Sequence, residues 1–178
     1  VNGYVHTNGR VGVLLAATCD DAAKEKAVVL LKSLAMHASA MKPTVISYTD
    51  LDPAFVDSEN RAIVAEIIAD NDELKRLGKP LKNIPDFVSR SQLTEVAIAT
   101  AKAAFEAELK EQGKPEKIWA NIIPGKIERY ITDNTQLDGR HALLSQAYVM
   151  NDKLTVEQAI AEVDASIKIT EYIRFELG

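Results

Sequence analysis

The chain has a single cysteine, Cys19, so no disulfide can close within it and a reducing setting is the simplest expectation. No stretch approaches the roughly 18 consecutive apolar residues of a membrane span, and no charged, apolar and small-residue leader opens the chain. Neither span nor signal peptide is expected, and the expected location is cytoplasmic. Clusters of Lys and Arg are also missing. With a formal charge of -5 and a sequence pI near 5.3, nucleic acid is a poor candidate ligand, because phosphate contacts need concentrated positive charge. A protein partner fits better. No phosphate loop, dinucleotide fingerprint, H-E-x-x-H, C-x-x-C or nucleophile elbow occurs, and most of the eight glycines stand singly in turns or at helix ends. The three histidines, His6, His37 and His141, share no i, i+4 spacing, so neither a metal site nor another cofactor is expected. Asp20 and Asp21 could hold a cation or a general acid, yet carboxylates at a helix start already suit the free N–H groups and positive dipole end. No nucleophile–base pair can be named, and an enzyme with a site at Asp20 and Asp21 is the weakest reading.

What is present is apolar and helical. At 178 residues and 47% hydrophobic the chain can bury a core, as one domain with a large appendage or as two small ones. Its first residue, Val1, falls inside a strand pattern, as in a piece of a longer protein. The organising stretch runs from Val28 to Tyr48. Ala27, Leu31, Leu34, Ala35 and Ala38 share one face of a 3.6-residue helix that begins at Asp20-Asp21 and ends near Met41. Pro43 stops it, and Thr44, Val45 and Ile46 then read as a strand.

Before that helix, Val1 to Ala17 reads as a hairpin around Asn8-Gly9, with its sheet partners elsewhere. After it, Asp52-Pro53 opens another helix with a narrow stripe at Val56, Ile63, Ile67, Leu74 and Leu77, interrupted by Asp70. Ser89 with Gln92 reads as a capping box for an alanine-rich helix ending at Gly113. A stripe from Ile118 to Ile131 follows, broken by Pro124-Gly125, where a kink is expected. The sequence ELKxxGKPxK occurs from Glu73 and again from Glu108, and both copies read as helix stops rather than as a repeat. Residues 59–132 thus resemble a projecting helical hairpin. Asp133 to Arg140 reads as polar turn, Ala142 to Met150 as a strand, Thr155 to Asp164 as a short helix, and Ile167 to Leu177 as a strand bulged near Glu171. The expected fold class is α+β: a small antiparallel sheet of strands 44–48, 142–150 and 167–177 with packed helices, interrupted by a long coiled-coil-like insertion.

Several stretches resemble bacterial translation elongation factor Ts: GYVHTNGRVGVLLAA, AMHASAMKP, QAYVMNDKLTVEQAI and IRFELG. The resemblance covers nearly the whole chain, except for an extra helical segment at about 63–101 and Pro124-Gly125-Lys126 where the family has E-G-R. It implies an N-terminal core subdomain ending in the hairpin 1–18, a C-terminal core subdomain of 19–58 and 133–178, and a dimerisation-type insertion of 59–132. It also implies guanine-nucleotide exchange on elongation factor Tu, engaged in its GDP form, with Mg²⁺ and phosphate contacts loosened and no bond made or broken. Homodimers through the insertion are a further expectation. Matching contact positions are Val11 and Gly12 in the hairpin, His37 at the helix end, and Val149 with Met150. The family's T-D-F-V motif would lie before Val1, so this stretch alone is expected to bind the partner but to exchange nucleotide poorly. Without the resemblance, a coiled-coil oligomerisation module unrelated to translation remains the alternative.

Overall fold

The computed structural model describes all 178 residues. Along the chain come β1 (Asn2–Val5), β2 (Val11–Thr18), α1 (Lys24–Met41), α2 (Pro53–Arg76), α3 (Glu95–Glu111) and α4 (Trp119–Asp133). They are followed by α5 (Gln136–His141), β3 (Ala147–Tyr148), β4 (Asn151–Thr155), α6 (Val156–Val163) and β5 (Lys168–Glu176). Two units result, Val1–Leu51 with Asp138–Gly178, and Asp52–Leu137. The mixture of helices with small antiparallel sheets is the α+β class expected.

In the first unit β1 and β2 form the expected hairpin, with Tyr4 opposite Val13. The reversal is made by the His6 carbonyl accepting from Gly9 N–H at 2.8 Å, and Gly9 takes the left-handed φ of 67° that a side chain would resist. The expected sheet of 44–48, 142–150 and 167–177 does not form. β2 is central in the order β1-β2-β5, and neither 44–48 nor 142–150 belongs to that sheet. The bulge is where the sequence put it: Ala16 faces Glu171 while Ala17 faces Ile169, which leaves Thr170 over.

α1 lies on one face of this sheet. All five residues of its predicted apolar face are buried, together with Leu30, and they pack with Val13, Leu15, Leu143, Val156, Ile160 and Ile167. Each leucine taken from water contributes about 1.5–3 kcal/mol. The helix stops because Lys42 turns left-handed at φ 50°, its N–H still reaching the Ala38 carbonyl at 3.0 Å, and Pro43 cannot continue the ladder. At the start, a 3₁₀ turn over Asp21–Ala23 precedes α1, and Asp20 makes no side-chain cap.

Three further expectations are corrected. Thr44 to Tyr48 is not a strand: it makes one parallel bridge, Val45 to Ala142, and then a 3₁₀ turn over Tyr48–Asp50. Its polar groups are satisfied by the end of α5, where the His141 carbonyl accepts from both Thr44 N–H (2.8 Å) and Val45 N–H (3.1 Å). Residues 142–150 are not one strand either, but a 3₁₀ turn over Leu143–Ser145 and then β3, which pairs with β4. The polar 133–140 stretch, read as turn, holds α5, with Asp138 buried. The helix predicted at Thr155 does form as α6, capped by a reciprocal Thr155–Gln158 box.

In the second unit Asp52 caps α2 by accepting from Ala54 N–H (2.8 Å) and Phe55 N–H (3.1 Å), with Pro53 in the first turn. Val56, Ile63 and Ile67 are buried as the stripe requires, but Leu77 is exposed, and Asp70 pairs with Lys82 at 2.5 Å. The expected capping box is corrected: Thr94 caps α3 through Ala97 N–H, while the Gln92 side chain closes a separate turn by accepting from Val88 and Ser89. α4 continues through Pro124. α3 and α4 answer each other's stripes, with Phe105 edge-on to Tyr130 at 6.3 Å and Glu108 bound to Lys126 at 2.6 Å.

Candidate partner-binding site

Of the five predicted contact positions, three converge. His37 lies near the end of α1 with no solvent exposure, and its Nδ1 accepts the backbone N–H of Val149 at 3.2 Å. A backbone N–H can only donate. The ring must therefore carry its proton on Nε2, which donates to Gln146 Oε1 at 3.0 Å. The Gln146 amide nitrogen in turn donates to the carbonyls of Met41 (3.3 Å) and Arg140 (3.1 Å). One buried glutamine thus ties the ends of α1 and α5 to the histidine, and the histidine holds the turn that follows β3. The His37 and Tyr148 rings lie 5.9 Å apart.

That turn presents Val149 and Met150, which are 50% and 61% exposed. The sequence placed them at a strand end on alternating faces; the reason for their exposure is instead that they form the reversal between β3 and β4. His37 does not reach the surface beside them. It shapes the turn from beneath, through main-chain geometry.

Val11 and Gly12 are on β2, opposite Glu176 and Phe175. They do not join the His37 network. Gly12 shares a sheet face with Leu14, Ile173 and Phe175, all three exposed, and a Cβ built there would meet nothing within 4 Å. Val11 points to the other side, where it lines a cavity with Met36, the neighbour of His37 in α1. As for the enzyme reading, the Asp21 carboxylate is already taken by Lys24 at 2.7 Å on an open surface.

Gln146 is the residue that sequence reasoning missed. Its signal was available: one amide within the apolar run LLSQAYVM. A polar side chain in such a run is either an outward position or a buried one with partners on every polar atom.

Burial pushes the His37 pKa below its ordinary 6.5, and the Gln146 bond offsets this in part. Above pH 6.5 the ring is neutral in folded and unfolded chain alike, so the full stability is present there. As pH falls below 6.5 the unfolded chain takes up the proton first, and stability is lost progressively down through the lower folded value. Protonation would also turn Nδ1 into a donor facing the Val149 N–H. We expect urea stability to fall between pH 6.5 and 5, and His37→Gln to flatten that part of the profile. An unchanged slope in the variant would assign the acid sensitivity to other groups.

The sequence profile of a family described as Elongation factor TS matches residues 1–85 and 82–178. A curated elongation factor Ts of Aliarcobacter butzleri is 79% identical over 178 residues, covering all of this chain and 51% of its own length. Those of Campylobacter concisus and Helicobacter pylori strain J99 are 57% and 56% identical over 183 residues, again covering all of this chain and 52% of their own lengths. The chain spans about half the length of the curated relatives it matches. The match to the Aliarcobacter butzleri protein runs through residues 63–101 as well.

Proposed function

The chain belongs to the elongation factor Ts family, and on that premise we propose that it binds the GDP form of elongation factor Tu and promotes GDP release by protein contact alone. The observation that carries this reading is the exposed Val149–Met150 turn fixed from beneath by His37, at the positions that match the family's contacts. Val149 and Met150 supply apolar anchors, while Val11 and Gly12 add a second patch on β2. His37 acts through the turn it orders. No bond is made or broken, and no cofactor, metal, nucleic acid or membrane takes part. The energetic content is negative coupling: factor and nucleotide each weaken the other's binding by the same factor. That partner places the chain in the cytoplasm. In the helical unit, exposed Ile68 and Val96 leave apolar surface for a second copy of the chain.

The test is titration calorimetry of this chain against purified elongation factor Tu loaded with GDP, followed by timed release of a fluorescent GDP. Saturable binding, with at least some acceleration of release, is expected. Absence of binding would refute the proposal for this stretch of the chain.

A further inference from the structure

We propose that the cavity between the last turns of α1 and the helix-facing side of the β1-β2-β5 sheet is a carboxylate site, with Arg174 as its fork. Arg174 pairs with Val13 across the sheet, and paired residues on adjacent strands project to the same face. Since Val13 is buried beneath α1, Arg174 is carried to that side too, and its side chain is only 16% exposed. Its Nη1 donates to Glu176 Oε2 at 2.7 Å. Its Nε and Nη2 are buried with no partner, and so is the hydroxyl of Ser39 in α1. Arg174 and Ser39 both line the cavity, with Val11, Met36, Lys42 and Glu176 among the other walls.

The chemistry of these orphans selects the ligand. Nε and Nη2 form the edge of the guanidinium whose two parallel N–H groups match the two oxygens of a carboxylate, and the Ser39 hydroxyl can add a third bond. A neutral hydroxyl or amide would use only part of that edge. Charge permits an anion: Glu176, the one carboxylate among the walls, is acted on by three cations, Arg174, Lys42 and Arg10, which together hold its pKa down. The apolar walls from Val11 and Met36 suit the methylenes that carry a carboxyl group. Such a group has two possible sources, an acidic side chain of the partner docking beside Val11 or a small free carboxylate. The first source, but not the site, rests on the function proposed above.

The experiment is a titration of the ¹⁵N-labelled full chain with sodium acetate, followed on the arginine Nε–Hε resonances against sodium chloride at equal ionic strength. The Arg174 signal is expected to move saturably with acetate only, Arg174→Lys to remove the response, and Ser39→Ala to weaken apparent affinity by roughly threefold. Circular dichroism checks folding, and Ser39→Ala carries the test if the arginine variant does not fold. A response no larger than with chloride, or one unaffected by Ser39→Ala, overturns the site. In the second arm both variants are titrated with elongation factor Tu in its GDP form. Loss of roughly tenfold in affinity for Arg174→Lys identifies the partner as the source, whereas undiminished binding with an intact acetate response identifies a free carboxylate. A wild-type chain that responds to acetate but ignores the partner supports the site while refuting the partnership.

Discussion

Replacing Gln146 with leucine is expected to lower the stability of the fold by about 2 kcal/mol or more. The substitution nearly conserves volume, so a cavity contributes little. What it removes is the common partner of three groups: the buried His37 Nε2–H and the partly buried carbonyls of Met41 and Arg140. Each buried polar group left without a partner costs about 1–3 kcal/mol. Urea unfolding followed by circular dichroism measures the loss, and a midpoint unchanged from the native chain would mean that water replaces the amide at no cost. The consequence should reach the surface as well. With Oε1 gone only the Val149 N–H still favours the Nε2–H tautomer, and whenever the ring moves its hydrogen to Nδ1 it opposes that N–H. Hydrogen exchange at Val149 should therefore quicken in Gln146→Leu beyond the general loss of protection.

The second large effect is on binding rather than folding. Val149→Ala with Met150→Ala should weaken the complex with elongation factor Tu by about 2 kcal/mol or more, as for truncation of central anchors, while exposed positions changed to alanine move stability by under about 0.5 kcal/mol. The side chains lie outside the packed core formed by α1 and its sheet, and the main chain beneath them keeps its bond to His37. Calorimetry and thermal melting of one preparation separate the two quantities. A variant that melts early yet binds normally once folded would assign these residues to packing, and the contact reading would be lost.

The elements set by short-range physics were legible. The buried face of α1 follows from helical spacing, the Asp52 and Thr155 caps from residues that accept from a first turn, and the β5 bulge from a slip in alternation at Glu171. What failed was partner choice. Thr44, Val45 and Ile46 carry every local mark of a strand, but strand propensity describes a residue that suits a pleated surface without saying which surface exists. Here the nearest backbone is the end of α5 and the 3₁₀ turn after it, which offer room for one bridge only. The hairpin itself was legible, but not which strand would join it, because β5 lies at the far side of the helical unit in sequence. The candidate residues came from family resemblance, but their arrangement did not: that His37 holds the Val149 N–H is visible only once Gln146 is placed beside it.

The order β1-β2-β5 has a consequence for how the molecule is made. Arg10, just before the central strand, bonds the carbonyl of Gly178 at 2.5 Å across 168 positions of sequence. On a ribosome the hairpin and α1 emerge before the helical unit and then wait, their second sheet edge unpaired, while that whole unit is synthesised. Helices that depend on neighbouring turns form fast, whereas a strand pair of such separation must close a long loop first. The closure term itself grows only with the logarithm of loop length. What the delay exposes is the open edge of β2 to the pairing with other nascent chains that unpaired strands invite. The nine residues of β5, made only after the helical unit, are the ones that end that exposure.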